Sequence, residues 1–367
     1  MIFWEAEMKR ARIFLSILLL ISLLTSAVGC GGGGADVDKS TEEAVLELLQ
    51  SKHTLRFDEN GEFRVLVFAD LHLNSSGLSD YMKDCIKTLV EREEPDLIIL
   101  TGDNVADKSI ISDKVFRRTL QEAMEYVESR KIPWMHVYGN HDSEGIYTRE
   151  QQQKVYESFE YCLSKAGDEL TGVGNYLLPI YASKGDEVKF VVWGLDSGDY
   201  MSEKDRAKLC PVTSTFGGYT GTNYDYIHGD QIEWYVAASR LLEEYNGGKV
   251  IPGLMAFHIP LQESYTAWMN RTALEWTGEM REPVCASAYN SGLFAAMMAR
   301  GDVKAVVNGH DHINDFMVEY GGIKLCYSSS FSTNTYNNED MHGARVFVIN
   351  ENDPADIETY MSYIQAR

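Results

Sequence analysis

The chain is poor in the residues that would staple a small scaffold or build a thiolate metal site. It has six cysteines in 367 residues, and no two lie at zinc-knuckle spacing. Cys85 and Cys162 fall on the apolar faces of helical patterns and read as core thiols. Cys210 and Cys285, in two loop-rich segments, are the candidate bridge. Counted after Cys30, the remaining five are odd in number, so one thiol at least is unpaired even where disulfides are permitted. Positive charge is scarce as well, with 33 Lys and Arg against 55 Asp and Glu and a formal charge of -22. So acidic a chain repels nucleic acid and anionic lipid in bulk, and no nucleic-acid binding is expected. Any anionic ligand must be held by a local positive centre. Internal repeats are absent, and the one extended apolar run, Ile13 to Leu24, is too short for a confident membrane span. What is present is 44% hydrophobic and 11% aromatic content, enough for one large core or two smaller ones.

The first thirty residues stand apart. Lys9-Arg10-Ala11-Arg12 precedes the apolar run, and small residues follow it, the pattern of an export signal. Ala27-Val28-Gly29-Cys30 resembles the lipobox of bacterial lipoproteins, with Ala27 where Leu is usual. The resemblance implies cleavage after residue 29 and acylation of Cys30. Gly31 to Gly34 then form a flexible tether, and Met8 is a candidate start of translation. The expectation is an exported cell-envelope lipoprotein, anchored on the extracytoplasmic side through Cys30. Its segments are a signal peptide over 1–29, a lipidated tether over 30–39 and one domain over 40–367.

Within 40–367 the patterns alternate. Ser40 and Glu43 have capping-box spacing ahead of a short helix. Leu55 to Phe57 and Phe63 to Ala69, joined by Asp58-Glu59-Asn60-Gly61, read as a hairpin. Helical periodicity appears around Met82 to Val90, Phe116 to Val127, Val155 to Leu163 and Ile232 to Leu241. Short apolar runs lie between: Leu97 to Leu100, Trp134 to Val137, Val188 to Trp193, Val250 to Phe257 and Val303 to Val307. Such alternation argues for an α/β domain with helices covering a sheet. Toward the C-terminus, Phe316 to Tyr320 and Ile323 to Tyr327 form a hairpin, and Ala344 to Ile349 and Ile357 to Tyr363 read as further strands. The segments 199–230 and 262–292 lack periodicity and read as long functional loops, with the aromatics of 219–235 packing the first.

Five apolar runs end in a polar donor. They are followed by Asp70-Leu71-His72, Gly102-Asp103-Asn104, Gly139-Asn140-His141-Asp142, His258-Ile259-Pro260 and Gly309-His310-Asp311-His312. Ligand sites of open α/β sheets lie beyond the carboxyl ends of strands, so five such ends can converge on one pocket. Asp70 with His72, and His310 with His312, are each two residues apart and face one side of an extended chain. Carboxylate, amide and imidazole donors without thiolate suit zinc, manganese and iron. Two such ions about 3.5 to 4 Å apart can clamp a phosphate and generate hydroxide near neutral pH. His136 reads as a strand histidine, His53 and His228 as surface or loop residues, and His342 as a candidate to line the pocket.

This ordered set resembles the calcineurin-like metallophosphoesterase superfamily, from about Phe63 to the C-terminal strands. Tyr224-Asp225-Tyr226-Ile227, Phe257-His258-Ile259-Pro260, Arg281-Glu282-Pro283-Val284 and Tyr289-Asn290-Ser291-Gly292-Leu293 resemble its branch related to purple acid phosphatases. The resemblance implies a four-layer α-β-β-α sandwich of two mixed sheets with flanking helices and the metal site at the carboxyl ends of strands. It implies a first metal on Asp70, His72, Asp103 and His312 and a second on Asp103, Asn140, His258 and His310, with Asp103 bridging. His141 corresponds to the histidine beside the leaving-group oxygen, oriented by Asp142. Purple acid phosphatases carry a tyrosine ligand three residues after the bridging aspartate, where this chain has Ala106. The implied cofactors are therefore two ions among iron, zinc and manganese, without the purple charge-transfer colour. The implied activity is hydrolysis of a small phosphorylated substrate, a phosphatase ahead of a phosphodiesterase or nucleotidase; the alternative is a metal-bearing binding lipoprotein with little catalysis.

Overall fold

The computed structural model describes residues 39–106, 110, 112–210, 215–216, 219–220 and 223–365; of the signal and tether expected over 1–39, residues 1–38 lie outside them. The chain opens with α1 (Lys39–Leu48), the short helix expected there, followed by β1 (Leu55–Arg56) and β2 (Glu62–Phe68). Alternation follows: α2 (Asp80–Glu93), β3 (Leu97–Leu100), α3 (Asp113–Ser129), β4 (Trp134–His136), α4 (Arg149–Tyr156), β5 (Tyr176–Tyr181) and β6 (Val188–Gly194). Next come α5 (Glu203–Leu209), β7 (Thr215–Phe216), β8 (Tyr219–Thr220), α6 (Gly229–Tyr245), β9 (Gly253–Ala256), α7 (Gln262–Met269) and β10 (Trp276–Thr277). The last elements are α8 (Leu293–Arg300), β11 (Val303–Asn308), β12 (Met317–Tyr320), β13 (Ile323–Tyr327), β14 (Gly343–Asn350) and β15 (Asp353–Tyr363).

Strand β2 shows why two sheets stack. Val65 and Val67 face one side, Leu66 and Phe68 the other, and all four are buried. A strand apolar on both faces must be covered on both. It lies mid-sheet in the order β15-β14-β2-β3-β4, parallel to β3 and antiparallel to β14. The second sheet runs β1-β5-β6-β9-β11-β13-β12-β10, with β6, β9, β11 and β13 mutually parallel. Val65, Val67 and Ile99 meet Val192, Leu254 and Val307 between the sheets. Leu66 and Phe68 pack outward against Met82 and Leu89 of α2 and Leu120 of α3. Trp193 and Val306 pack outward against the layer of α6 and α8, through Trp234, Tyr235 and Met297. Each fully buried side chain of this size contributes roughly 1.5–3 kcal/mol relative to exposure. The result is the expected four-layer α-β-β-α sandwich.

Four expectations are corrected. The turn at Asp58 forms, with Asp58 N donating to Glu62 O at 2.9 Å, but β1 and β2 are not a hairpin. β1 pairs in parallel with β5 of the larger sheet while β2 joins the smaller one, because Leu55 and Phe57 fill the inter-sheet core. The helix read over Val155 to Leu163 stops at Tyr156, since Cys162 bridges Trp134 and Leu163 N donates to Trp134 O at 2.7 Å. The segments 199–230 and 262–292 are not structureless: they hold α5, β7, β8, α7 and β10. Cys210 and Cys285 are free thiols, as are Cys85, Cys162 and Cys326. Among the described residues no helix is long and apolar enough to cross a membrane.

Candidate metal centre

The parallel pairs β2–β3 and β9–β11 end at the same rim of the sandwich, and the chain leaves β2, β3 and β11 through residues with left-handed backbone, while His258 after β9 has an ordinary one. Asp70 (φ 53°), His72 (φ 43°), Asp103 (φ 49°) and His310 (φ 76°) are four of the six non-glycine residues with positive φ among those described. Left-handed backbone is costly for such residues and persists only where the surroundings over-determine it. Here they do so through hydrogen bonds: His72 N donates to Asp103 O at 2.8 Å, Asp70 N to Gly102 O at 3.2 Å, and His310 N to Asp70 Oδ2 at 3.0 Å.

Two groups of donors result. Asp70, His72, Asp103 and His312 form one, and Asp103, His258 and His310 the other, with ligand atoms in each within 4.8 Å of one another. Asn140 joins the second group, its Oδ1 lying 3.2 Å from His258 Nε2. Asp103 belongs to both: its Oδ1 accepts the His141 N–H at 2.8 Å, while Oδ2 lies 3.7 Å from His72 Nε2 and 3.2 Å from His258 Nε2. Asp103 Oδ2 and His310 Nε2 are buried without a hydrogen-bond partner. Buried polar atoms are almost always paired, so orphans of this kind fit a bound cation. The imidazoles are aimed from behind in the way metal-binding histidines are, His258 Nδ1 lying 2.9 Å from Thr101 O and His312 Nδ1 2.9 Å from Tyr336 O. The residues present therefore fit two metal ions sharing Asp103.

Burial pushes His72 down to about 4 and His310 down to about 3, so both are neutral donors near pH 7. Burial also opposes the charged forms of Asp70 and Asp103, but the imidazoles of His312 and His258 hold both carboxyls below the usual range. His258 is buried too, yet the Asp103 carboxylate outweighs that penalty and lifts it to about 9. The site is thus carboxylate-bearing and imidazole-rich in its resting protonation.

Gly139 has a role that turn chemistry does not describe. Its φ is not left-handed. A Cβ there would stand 2.2 Å from Asp103 Oδ1 and 2.4 Å from Asp103 N, so the glycine leaves room for the shared carboxylate. Gly309 does the same for Asp70, whose Oδ2 would lie 2.5 Å from an added Cβ.

The expected pairing of Asp142 with His141 is corrected. Asp142 is buried and accepts Val105 N and Gly139 N, each at 2.8 Å, which ties the turn to the chain beyond β3. Burial and Asp103 raise its carboxyl to about 6. Glu144 takes the imidazole instead, with Oε1 at 3.0 Å from His141 Nδ1. The reason is local geometry: residues 141–143 form a 3₁₀ turn, in which positions three apart eclipse and neighbours do not. That i, i+3 spacing was the available signal for Glu144.

Other contributors carried no motif. Arg149, its side chain only 10% exposed, pairs with Asp196, while Nη2 donates to Gly139 O at 2.9 Å and Gly198 O at 3.2 Å and Nε to Ser143 Oγ at 2.9 Å. It clamps the 139–143 turn to the 196–200 loop. From that loop the Tyr200 hydroxyl accepts Asn140 Nδ2 at 3.3 Å. Tyr224, expected only to pack its loop, stands edge-on to His310 with ring centroids 4.3 Å apart. His342 does not line the site; its Nε2 lies 2.6 Å from Phe331 O. His136 is a strand histidine, as expected, with Nδ1 at 2.8 Å from Ser164 Oγ.

Comparison with known proteins gives the chain a family. The calcineurin-like phosphoesterase family profile matches residues 63–314. "Probable inactive purple acid phosphatase 29" of Arabidopsis thaliana is 32% identical over 332 residues, covering 82% of this chain and 80% of that protein. "Phosphatase DCR2" of Saccharomyces cerevisiae is 31% identical over 308 residues, covering 74% of this chain and 48% of that protein. A dimetal phosphatase structure from Danio rerio aligns with a TM-score of 0.49 at 14% identity, over 82% of this chain and 98% of that one. With the profile spanning both donor groups from the start of β2 to just past His312, the chain belongs to the calcineurin-like phosphoesterase family.

Proposed function

We propose that this chain is a metal-dependent phosphatase that hydrolyses phosphate monoesters. One observation carries the reading: two donor groups share Asp103, whose buried Oδ2 accepts no hydrogen bond and faces the imidazoles of His258 and His72, beside a His141 side chain 37% exposed and backed by a carboxylate. Metals held by Asp70, His72, Asp103, Asn140, His258, His310 and His312 would supply Lewis acidity toward a phosphoryl oxygen and acidify water. The protein supplies position and proton traffic. A carboxylate only accepts, so His141 Nδ1 carries the hydrogen that faces Glu144 and leaves Nε2 free. The His141 ring lies 5.3 Å from that of His72, beside the first donor group. A proton on Nε2 would there be delivered to the departing oxygen, in general-acid fashion. The Asn140 amide, tethered by Tyr200, orients the phosphoryl group.

The test is reconstitution with manganese, zinc or iron, metal analysis, and turnover of a panel of mono- and diesters. His141→Ala should retain two ions per chain and lose turnover by about 10²–10⁴. Asp103→Ala should lose both. Two ions retained in Asp103→Ala would refute the shared-ligand assignment. A second reading, a metal-bearing binding protein with little catalysis, is favoured by the word "inactive" in the names of three similar Arabidopsis thaliana proteins. Absence of hydrolysis on every ester by the fully metallated chain would establish it. The same proposal places the protein outside the cytoplasm on a lipid anchor, on the strength of the Lys9 to Cys30 pattern. Labelled palmitate should enter the wild-type chain and not Cys30→Ser.

A further inference from the structure

Among the described residues, aromatic rings and carboxylates stand at the mouth of the donor cluster. On the His312 side, Tyr336 lies parallel over the imidazole at 4.1 Å and 15°, is 57% exposed, and donates its hydroxyl to Glu282 Oε2 at 3.0 Å. On the Asn140 side, Tyr200 is 40% exposed, carries the hydrogen bond to the Asn140 amide, and stacks on Tyr224 at 5.5 Å and 24°. At the His141 end, Glu144 is one-third exposed. Asp199 Oδ1 accepts Tyr200 N beside it.

Among the described residues, two arginines near this rim are already engaged. Arg149 is bound to Asp196, and Arg281 holds Glu279 and Asp340 at 2.7 Å each. Among the described residues no Lys or Arg hydrogen-bonds or pairs with Glu144, Glu282, Tyr200, Tyr224 or Tyr336. The centre therefore attracts one phosphate, while its entrance disfavours a second anion. Exposed tyrosine faces flanked by carboxylates are instead suited to a positive or neutral group.

We propose that this rim selects phosphate monoesters of neutral or cationic alcohols, amino alcohols best, and rejects esters whose alcohol bears another anion. The inference rests on the phosphatase reading and names the substrate class of the same site. A unit charge about 7 Å from one rim carboxylate, partly screened by water, should feel a bias of roughly three- to tenfold. Two rim carboxylates acting in the same sense raise the amine-to-acid contrast to about tenfold or more.

The experiment compares 2-aminoethyl, 2-hydroxyethyl and carboxymethyl phosphate with the metallated full chain, at about 20 mM and about 1 M salt. Calorimetric binding of 2-aminoethylphosphonate and phosphonoacetate gives a second readout that needs no turnover. The expected order of kcat/KM is amino, hydroxyl, carboxylate, with the contrast shrinking at high salt as screening shortens from about 20 Å to about 3 Å. The phosphonates should follow the same order in affinity. Glu282→Gln keeps an acceptor for Ile313 N and should reduce the amine-to-acid ratio at least twofold. A flat or reversed series in both readouts overturns the rim proposal and leaves ester hydrolysis standing. Absence of turnover with the phosphonate preference intact upholds the rim and sinks the phosphatase reading.

Discussion

Gly139→Ala tests the centre through one methyl group. The added Cβ would meet Asp103 Oδ1 at 2.2 Å, against ordinary contacts above about 3 Å, so something must move by roughly 1 Å. The turn cannot swing freely, because Gly139 N donates to Asp142 Oδ2 and Gly139 O accepts Arg149 Nη2. Asp103 must yield instead, and its Oδ1 loses the His141 N–H bond of 2.8 Å. Overpacking costs about 1–3 kcal/mol and a hydrogen bond to a charged acceptor about 1.5–3 kcal/mol. The combined range of about 3–6 kcal/mol corresponds to a loss of roughly 10² to 10⁴ in metal affinity if it falls on the metallated state. Backbone strain adds nothing, since the φ is ordinary. The assay is residual metal after dialysis against graded chelator, with thermal unfolding of metallated and stripped protein. Gly229→Ala is the control, because an added Cβ there meets nothing within 4 Å. If Gly139→Ala kept both ions to the wild-type chelator concentration with unchanged turnover, the steric account of this glycine would be wrong.

Other consequences follow from the same geometry. Glu144→Gln should cut turnover of alkyl phosphates by about 10-fold or more while sparing aryl phosphates whose leaving groups need little proton assistance; equal losses on both would remove Glu144 from the positioning of His141. Arg149→Lys keeps a charge beside buried Asp196 but cannot span Gly139 O, Gly198 O and Ser143 Oγ together. It should lower kcat more than it raises KM with metal content intact, whereas Arg149→Met leaves Asp196 uncompensated and should cost about 3–5 kcal/mol of stability. Asp96 is raised by burial to about 6, despite accepting Arg64 N at 2.8 Å. Its folded form thus binds a proton more readily than its unfolded form, so stability is full below about pH 4 and falls as pH rises to about 6. Screening at this partly accessible carboxyl reduces the loss to about 1–2 kcal/mol. Denaturant unfolding of Asp96→Asn should show the pH 4.5 to 7 difference narrowed by that amount; an unchanged difference would clear Asp96 of the effect.

The donors were legible in the sequence for a physical reason. Each follows a run apolar enough to be a buried strand, and ligand sites lie beyond the carboxyl ends of strands, here from two sheets that share one rim. Asp70, Asp103, Asn140, His258 and His310 could therefore be pooled before any coordinates, with His72 and His312 added by two-residue spacing. The helical cover was legible too, because α2, α3 and α6 alternate with β2, β3 and β9 in hydrophobic period, while the stacking of two sheets was implied only by the family resemblance.

What the sequence could not specify depended on direction and on competition between distant partners. Asp142 and Glu144 are equally plausible neighbours of His141 as letters; the 3₁₀ turn sends one toward Val105 N and the other to the imidazole. β1 had a local partner in β2, but its apolar side chains fit the inter-sheet core when it pairs with β5, across more than a hundred residues. Gly139 reads as a turn residue until Asp103 is seen occupying the space of its absent side chain. Tyr200, Tyr224 and Tyr336 reach the centre from loops without periodicity. Local pattern by itself determined which chemistry this protein holds, because strand ends and donor types are written along the chain. Tertiary packing alone decided which atoms face one another, because that is settled by what else is buried beside them.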